Sequence, residues 1–520
     1  MINQHPRDLG VPHNEWRPHQ YETIKWLIDT GQSTAIVQAP TGSGKSAVAG
    51  ALGNWGYSRV LTHAINLQDQ YAEHYDFEAI YGLRHYSCEL LGGGYNCDSC
   101  LYPEAMYTCP VGESCTYIER RLAVQESRRQ SLSYAYFLSA QWPSTHQTQF
   151  LYCDEAHLLP NIIRDYCTIN FTPAQLYEAN LPHYPTIQAS SNAYRVLLAI
   201  KWLADVLLDM KMQYNDLMAV PKYNRSIKLA RKLRMLSSRI ARLNRTIAYA
   251  ELHPNDFYCW SDKEKFTLVP LTAKLYFPDL FLSNWTHKLI LTSATIGNPD
   301  TLAKELGINY HKFRDVPSSF PPEAMPVYTL KDSPRLGYAT EQSSWKKWAE
   351  NIKDLITAHN SAWSGIIHLS SKKQANFLAN MLASMGLQDR VYVADGNGTS
   401  HKIAKWRKQQ QKVPNTIALA YSFHMGLDAP DVNINIVGKI PFKTLDRFGK
   451  AELEYNPDYY RLQAAILTEQ ACGRIRRGRP EHYEERGKPT KKVVAIADGS
   501  INMLESELSS HFGACLTPFK

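Results

Sequence analysis

The segment Ser33–Ser46, "STAIVQAPTGSGKS", constrains this chain more than any other. Thr34 to Val37 are β-prone, Pro40, Gly42 and Gly44 are loop formers, and "SAVAGAL" after Lys45 suits a helix. A buried strand that turns through glycines into a helix opening with Gly-Lys-Ser is the setting of a phosphate-binding loop. Gly42 and Gly44 let backbone N–H groups approach phosphate oxygens without a Cβ in the way. The helix N-terminus favours the anion. Lys45 would neutralise the outer phosphates and Ser46 would ligate Mg²⁺. Ala39 stands where the pattern usually has its first glycine. Ala39, Pro40, Thr41, Gly42, Ser43, Gly44, Lys45 and Ser46 are the expected cradle, and the strand–loop–helix order calls for an α/β fold.

Such a loop needs a carboxylate for its metal, and "FLYCDEAH", Phe150–His157, supplies one. Four strand-like residues end in Asp154 and Glu155, and a strand end is a rigid mount for two carboxylates. Asp154 would reach Mg²⁺, directly or through water. Glu155 would orient and deprotonate an attacking water. Alone, Asp-Glu-Ala-His is a weak signal, because acidic pairs are common at helix starts. Behind a phosphate loop it is a strong one, and the implied ligands are ATP and Mg²⁺.

The chain has 520 residues, too long for one ordinary core; the length suggests two to four domains. No stretch reaches the ~18 apolar residues of a membrane helix, and "MINQHPRDLGVPHNEW" lacks the apolar core of a signal peptide. The expectation is a cytoplasmic protein, neither secreted nor embedded in a membrane. A net charge of +8 permits a polyanionic partner without demanding one. Its distribution says more: from Lys222 to Arg245 there are nine basic residues and no acidic one. After residue 360, "SGIIHLSS", "NTIALAYS", "NINIVGKI" and "KKVVAIAD" alternate with helical stretches such as "KKQANFLANMLASM". That alternation predicts a second parallel α/β domain.

Half of the ten cysteines fall in one short window. "YNCDSCLYPEAMYTCPVGESC" holds Cys97, Cys100, Cys109 and Cys115, with Cys88 just ahead. The window is rich in loops ("LGGGYN", "CPVGESC") and cannot build much core alone; a metal would supply the missing folding energy. Thiols stay reduced in a cytosol, which points to metal rather than disulfides. The Cys97-x-x-Cys100 spacing suits zinc, and cysteine-only coordination equally suits an iron–sulfur cluster with four thiolates. Spacing alone leaves zinc, cluster and a redox disulfide open. Cys153, Cys167, Cys259, Cys472 and Cys515 are scattered and read as small buried residues.

The ordered set of motifs resembles a superfamily 2 helicase, and the cysteine window narrows the resemblance to the XPD/DinG iron–sulfur group. "RPHQ", Arg17–Gln20, resembles the adenine-reading element, and "LTHAINLQDQY" resembles a motif that touches nucleic-acid backbone. "LTSAT", Leu291–Thr295, resembles the motif coupling hydrolysis to strand movement. "AYSFHMGLDAPD", with Asp428, and "QACGRIRRG", with Gln470, Gly473, Arg474 and Arg477, resemble the two motifs of the second motor domain. The resemblance implies that Arg474 and Arg477 stabilise γ-phosphate charge, and that ATP lies between two RecA-like lobes. "CPVGESCTYIERRLA" is similar to the closing part of a 4Fe–4S module, "LRHYSC" to its opening and "LSYAYFL" to the stretch rejoining the motor. Cys88, Cys109 and Cys115 match the family's ligand positions best; Cys100 is favoured for the fourth, with Cys97 as the alternate. Two departures stand out: Met425 precedes Gly426 where the family often has Glu, and "GRPEHYEERG" is atypical.

The implied organisation is motor domain 1 over 1–79, 129–160 and 256–325, the cluster module over 80–128, a helical arch over 161–255, and motor domain 2 over 326–520. In the arch, "AYRVLLAIKWLADVLLDM" predicts one long helix. Leu229, Leu233, Leu236, Ile240, Leu243 and Ile247 predict a packing seam on a second. Lys228, Arg231, Lys232, Arg234, Arg239, Arg242 and Arg245 lie off that seam, and the lack of acid from Leu217 to Ala250 favours phosphate contact over a merely solvated face. Of the module's tyrosines, most are expected to pack it. The resemblance implies an ATP-dependent DNA helicase, a monomeric motor moving 5′ to 3′ on single-stranded DNA of forks or tailed duplexes. Its compact size suits a bacterial or phage-infected cell. Two rivals share these motifs: a DEAH-type RNA helicase with a zinc module, and an ATP-gated single-strand-binding or recruitment protein that does not unwind.

Overall fold

The computed structural model describes residues 4–31, 33–102, 109–140, 148–184, 191–221, 224–282, 287–318, 322–324, 326–330, 332–337, 340–396, 398–421, 429, 431–475 and 492–519. These residues pack as two units, each built on its own seven-stranded sheet.

The first unit lays down β1 (Thr34–Gln38), β2 (Ser58–Thr62), β3 (Glu78–Ile80), β4 (Arg129–Ser133) and β5 (Phe150–Cys153). Then come β6 (Ile169–Phe171), β7 (Phe257–Ser261), β8 (Phe266–Pro270), β9 (Lys288–Ser293) and β10 (Lys312–Asp315). The main sheet has the order β10-β1-β9-β5-β2-β4-β3, and its defined registers are parallel. β1, β2, β5 and β9 are buried along their whole length. That is why "TAIVQ" and "FLYC" read as continuous runs rather than alternating ones. The sheet carries α1 (Gln20–Asp29), α2 (Lys45–Leu52) and α3 (Ile65–Tyr75).

Two insertions leave this frame. Among the described residues, the cysteine segment between β3 and β4 contributes short turns and α4 (Thr116–Glu126). The second insertion rises into α5 (Asn192–Met218) and α6 (Ile227–Leu252), which pack on each other. A helix the length of α5 spans about 40 Å, and the link 219–226 is too short to run back along it. The pair is therefore an antiparallel hairpin. The leucine spacing marks its seam: Leu233, Leu236 and Leu243 are buried on α6, and Val196, Leu203, Val206 and Met210 are buried on α5. Leu229, Ile240 and Ile247 are half-buried at its margins. β6, β8 and β7 form a separate antiparallel sheet. "FYCWS" and "FTLVP" thus pair in a sheet of their own, apart from the parallel sheet.

The second unit contains β11 (Val327–Leu330), β12 (Gly365–Leu369), β13 (Val391–Val393), β14 (Ile417–Tyr421), β15 (Ile434–Val437), β16 (Val493–Ile496) and β17 (Leu516–Phe519). Their order is β13-β14-β12-β15-β16-β11-β17, parallel throughout. All four strand-like segments after residue 360 are strands of this sheet. The fold is α/β with two parallel-sheet domains of RecA-like form.

Candidate functional site

β1, β9 and β5 are neighbours in the first sheet, so their C-terminal ends deliver three motifs to one edge. The loop after β1 turns at Gly42 and Gly44, with φ of 86° and 82°. A Cβ on Gly44 would stand 1.9 Å from Gln20 Nε2 and displace that amide, and the φ of 82° strains any other residue there. Gln20 Nε2 donates to the Gly44 carbonyl (3.1 Å) and its Oε1 accepts from the Arg17 N–H (2.7 Å). The "RPHQ" element is thereby bound to the loop at the start of α2.

At the end of β5, Asp154 is 5% exposed. Its Oδ2 accepts from the Tyr71 hydroxyl (3.1 Å), its Oδ1 accepts from the Glu155 N–H (3.0 Å), and its carbonyl accepts from the Tyr134 hydroxyl (2.8 Å). Burial, reinforced by the charge of Glu155 and opposed by Lys45, pushes the Asp154 carboxyl up to about 6. Glu155 has a left-handed backbone, φ 51°. Its Oε2 accepts from Ser293 Oγ (3.0 Å) and lies 3.4 Å from His157 Nδ1, which is 2.7 Å from the same Ser293 hydroxyl. Burial raises the Glu155 carboxyl, but His157, Lys45 and Ser293 together outweigh it and hold it at about 2. Two adjacent carboxylates are thus driven apart: one ionised throughout, the other poised for a cation. Tyr152 of β5 donates to the Lys45 carbonyl (3.1 Å), locking the start of α2 against the carboxylate strand.

The structure brings together Arg17, Gln20, Gly44, Lys45, Ser46, Asp154 and Glu155. It adds Tyr71, His157 and Ser293, which the sequence held inside quoted motifs without assigning them to the nucleotide site. Gln470 lies in the last turn of α7 (Pro457–Cys472), and Gly473 and Arg474 open the following turn. Asn435 of β15 holds that end, donating to the carbonyls of Ala471 (2.8 Å) and Cys472 (3.2 Å). Asp428 and Arg477 lie outside the described residues.

The cysteines form the second centre. All ten are free thiols, and the scattered five are buried as expected. Cys88, Cys97, Cys100, Cys109 and Cys115 line one cavity of about 10 Å³ with Glu89, Leu90, Val111 and Ile118. Backbone turns place them. Tyr86 and Tyr95 carbonyls accept from the N–H groups of Cys97 (2.9 Å) and Cys88 (2.8 Å), around a tight turn in which Gly92, Gly93 and Gly94 all have positive φ. Cys100 Sγ accepts from the Tyr102 N–H (3.4 Å), while Cys97 Sγ donates to the Ser87 carbonyl (3.3 Å). Burial, with Cys115, Cys88 and Cys100 nearby, pushes the Cys97 thiol far up. Among the described residues, no three His, Cys, Asp or Glu side chains are set as ligands of one ion. Tyr86 and Tyr117 pack edge to face (5.3 Å), and Tyr117 shares a hydrogen bond with Tyr136 (2.9 Å), so these tyrosines pack the module.

The basic face of α6 is partly engaged within the protein. Arg239 lies over the Phe171 ring (5.6 Å), Arg242 donates to the Tyr166 carbonyl (3.4 Å), and Arg231 and Arg234 reach the cysteine module. Lys228 remains exposed.

No family model and no curated protein matches the sequence. Among solved structures, one of an XPD helicase is similar to this chain with a TM-score of 0.58 and 14% identity, covering 96% of this chain and 98% of that one. A structure of XPD in its apo form matches with a TM-score of 0.55 and 13% identity, covering 96% and 99%. The likeness is one of fold, running nearly end to end. Among the described residues no helix is long and apolar enough to cross a membrane.

Proposed function

We propose that the protein is an ATP-driven DNA helicase of the XPD/DinG type, moving 5′ to 3′ on single-stranded DNA and opening forks or tailed duplexes. One observation carries the reading: Lys45, Asp154, Glu155 and Ser293 meet at adjacent strand ends of a parallel sheet. A five-cysteine module sits between the first two of them in the chain. Backbone N–H groups of residues 42–46 and Lys45 bind the phosphates. Ser46 and Asp154 hold Mg²⁺. Glu155, aligned by Ser293 and His157, accepts the proton of the attacking water. Ser293 also opens the segment leading out of β9, so a change at Glu155 has a direct path into "LTSAT". Arg474 and Arg477, with Asp428, Gln470 and Gly473, serve the nucleotide from the second motor domain. The proposed division is motor domain 1 over 1–79, 129–160 and 256–325, cysteine module 80–128, arch 161–255 and motor domain 2 over 326–520.

The donor set fits a 4Fe–4S cluster. A cluster takes each thiolate on a different iron, so its ligands surround a body instead of converging on a point. Cys88, Cys109 and Cys115, with Cys100 or Cys97, would hold it. When bound, the group supplies cross-links among loops that have little core of their own.

The test is ATP-dependent strand separation on DNA duplexes with a 5′ or a 3′ tail, and on matching RNA duplexes. Faster opening of 5′-tailed DNA is expected. Equal rates or a 3′ preference would sink the polarity. Preference for RNA would favour the RNA-helicase rival, and strand-stimulated ATP hydrolysis without opening would favour the recruitment protein.

A further inference from the structure

The two residues between Cys97 and Cys100 are gripped from outside their own module. Arg231 of α6 donates to Ser99 Oγ (2.5 Å) and stands 3.9 Å from the Asp98 carboxylate, with Arg84 at 3.3 Å on the same carboxylate. One turn along α6, Arg234 Nη1 donates to the Asp98 carbonyl. Both arginines lie off the apolar seam, one helical turn apart, which puts them on the same side of α6.

Arg234 has one feature this clamp leaves unexplained. Its Nη2 is buried and has no hydrogen-bond partner among the described residues. A guanidinium N–H sealed from water without an acceptor is costly. Cys100, Asp98, Tyr117 and Cys97 lie close enough that their ionised forms would stabilise its charge. The Asp98 carboxylate is already met by Arg84 and Arg231. Tyr117 already shares its hydroxyl with Tyr136, so of these four described groups the sulfurs of Cys97 and Cys100 are the ones left to accept from Nη2 once they are thiolates.

We infer that Arg234 is a positioning residue for the cysteine centre, donating through Nη2 toward its thiolate sulfurs, and that metal retention in the module therefore depends on the docking of α6. The inference rests on the metal-bound reading given above. A cluster held by four thiolates is an anion, and hydrogen bonds to its sulfurs help set its potential. A cation brought in on a separate insertion would stabilise the more negative, reduced state and hold the Cys97–Cys100 turn closed. Arg231 acts on the turn alone, through Ser99 and Asp98.

The experiment compares wild-type protein with Arg234→Met, Arg234→Lys and Arg231→Ala, all purified without oxygen. Iron and sulfide content, the rate of iron loss to a chelator, and the midpoint potential are measured. Circular dichroism and nucleotide binding report whether the motor is folded. Loss of an outer partner should speed iron release by about ten- to a hundredfold in Arg234→Met, with the potential moving to more negative values. Arg234→Lys should recover part of the potential shift. Arg231→Ala should speed release and leave the potential in place. A folded Arg234→Met protein with wild-type release and wild-type potential overturns the inference while leaving the cluster reading intact. Wild-type protein without iron overturns the cluster reading, and this inference with it.

Discussion

The nucleotide site and the cysteine module both crowd groups of like charge together, yet they are held in opposite ways. Asp154 and Glu155 stand on a strand buried on both faces, and hydroxyls from Tyr71 and Ser293 hold their carboxylates. The thiols stand on turns, and their frame is a few backbone hydrogen bonds around consecutive glycines. The first arrangement is carried by the core and persists without its ligand. The second has little apolar area to offset the entropy of its loops. On the proposed reading, repeated work on ATP gains from a preformed site, and a small inserted module would gain its rigidity from a bound metal.

The largest effects should break the nucleotide site while sparing the module. Lys45→Ala should reduce ATP hydrolysis at least about a hundredfold, the scale set by removing one group aimed at transition-state charge. Folding and metal content should be unchanged. Loss of metal in the same variant would show that the two centres are not independent.

The converse comes next. Removing metal with a strong chelator should melt the cysteine module, seen as rapid amide exchange over 83–126, while nucleotide still binds. Retained protection there would mean that the module's turns suffice by themselves.

A smaller effect sharpens the account of how the carboxylates divide their work. Ser293→Ala removes one hydrogen bond to a charged acceptor, worth about 1.5–3 kcal/mol. The turnover number should fall about ten- to a hundredfold with little change in nucleotide affinity. An affinity loss without a turnover loss would take Ser293 out of the alignment of Glu155.

The mildest is a pH effect. Asp154 rises from 3.8 to about 6 because burial, with Glu155 beside it, penalises its charge. Its ionisation in the ligand-free protein therefore costs stability. The favourable state exists below the unfolded value and is lost as pH climbs from about 4 through about 6, by up to about 3 kcal/mol. Magnesium competes with the proton, so the Mg²⁺ needed for half-maximal hydrolysis should rise as pH falls below about 6. Asp154→Asn should abolish that dependence along with tight Mg²⁺ use. A Mg²⁺ requirement that is flat between pH 5 and 8 would contradict the assignment.

The same contrast explains what the sequence made legible. Glycine spacing and a strand end are short-range facts, so the phosphate loop, β5 and both parallel sheets could be read directly. The leucine spacing of α6 likewise yields the hairpin. What could not be read is long-range. Tyr71 reaches Asp154 across 83 positions, and Arg234 reaches Asp98 across 136. Helical periodicity places Arg231, Arg234, Arg239 and Arg242 off the seam, but cannot say that a ring, a carbonyl or a cysteine turn waits there. The expected phosphate-binding face is narrower for that reason, and Lys228 now tests it better than Arg239 or Arg242. The five thiols were legible as a cluster; which four would serve a metal was not, because all five line the cavity.

The most direct test of a preformed nucleotide site beside a metal-completed module is the iron, zinc and acid-labile sulfide content of protein purified without oxygen. The account predicts about four irons and as many sulfides per chain, with a broad brown absorption. A colourless protein with one zinc, or with no metal and a protected module, would contradict it.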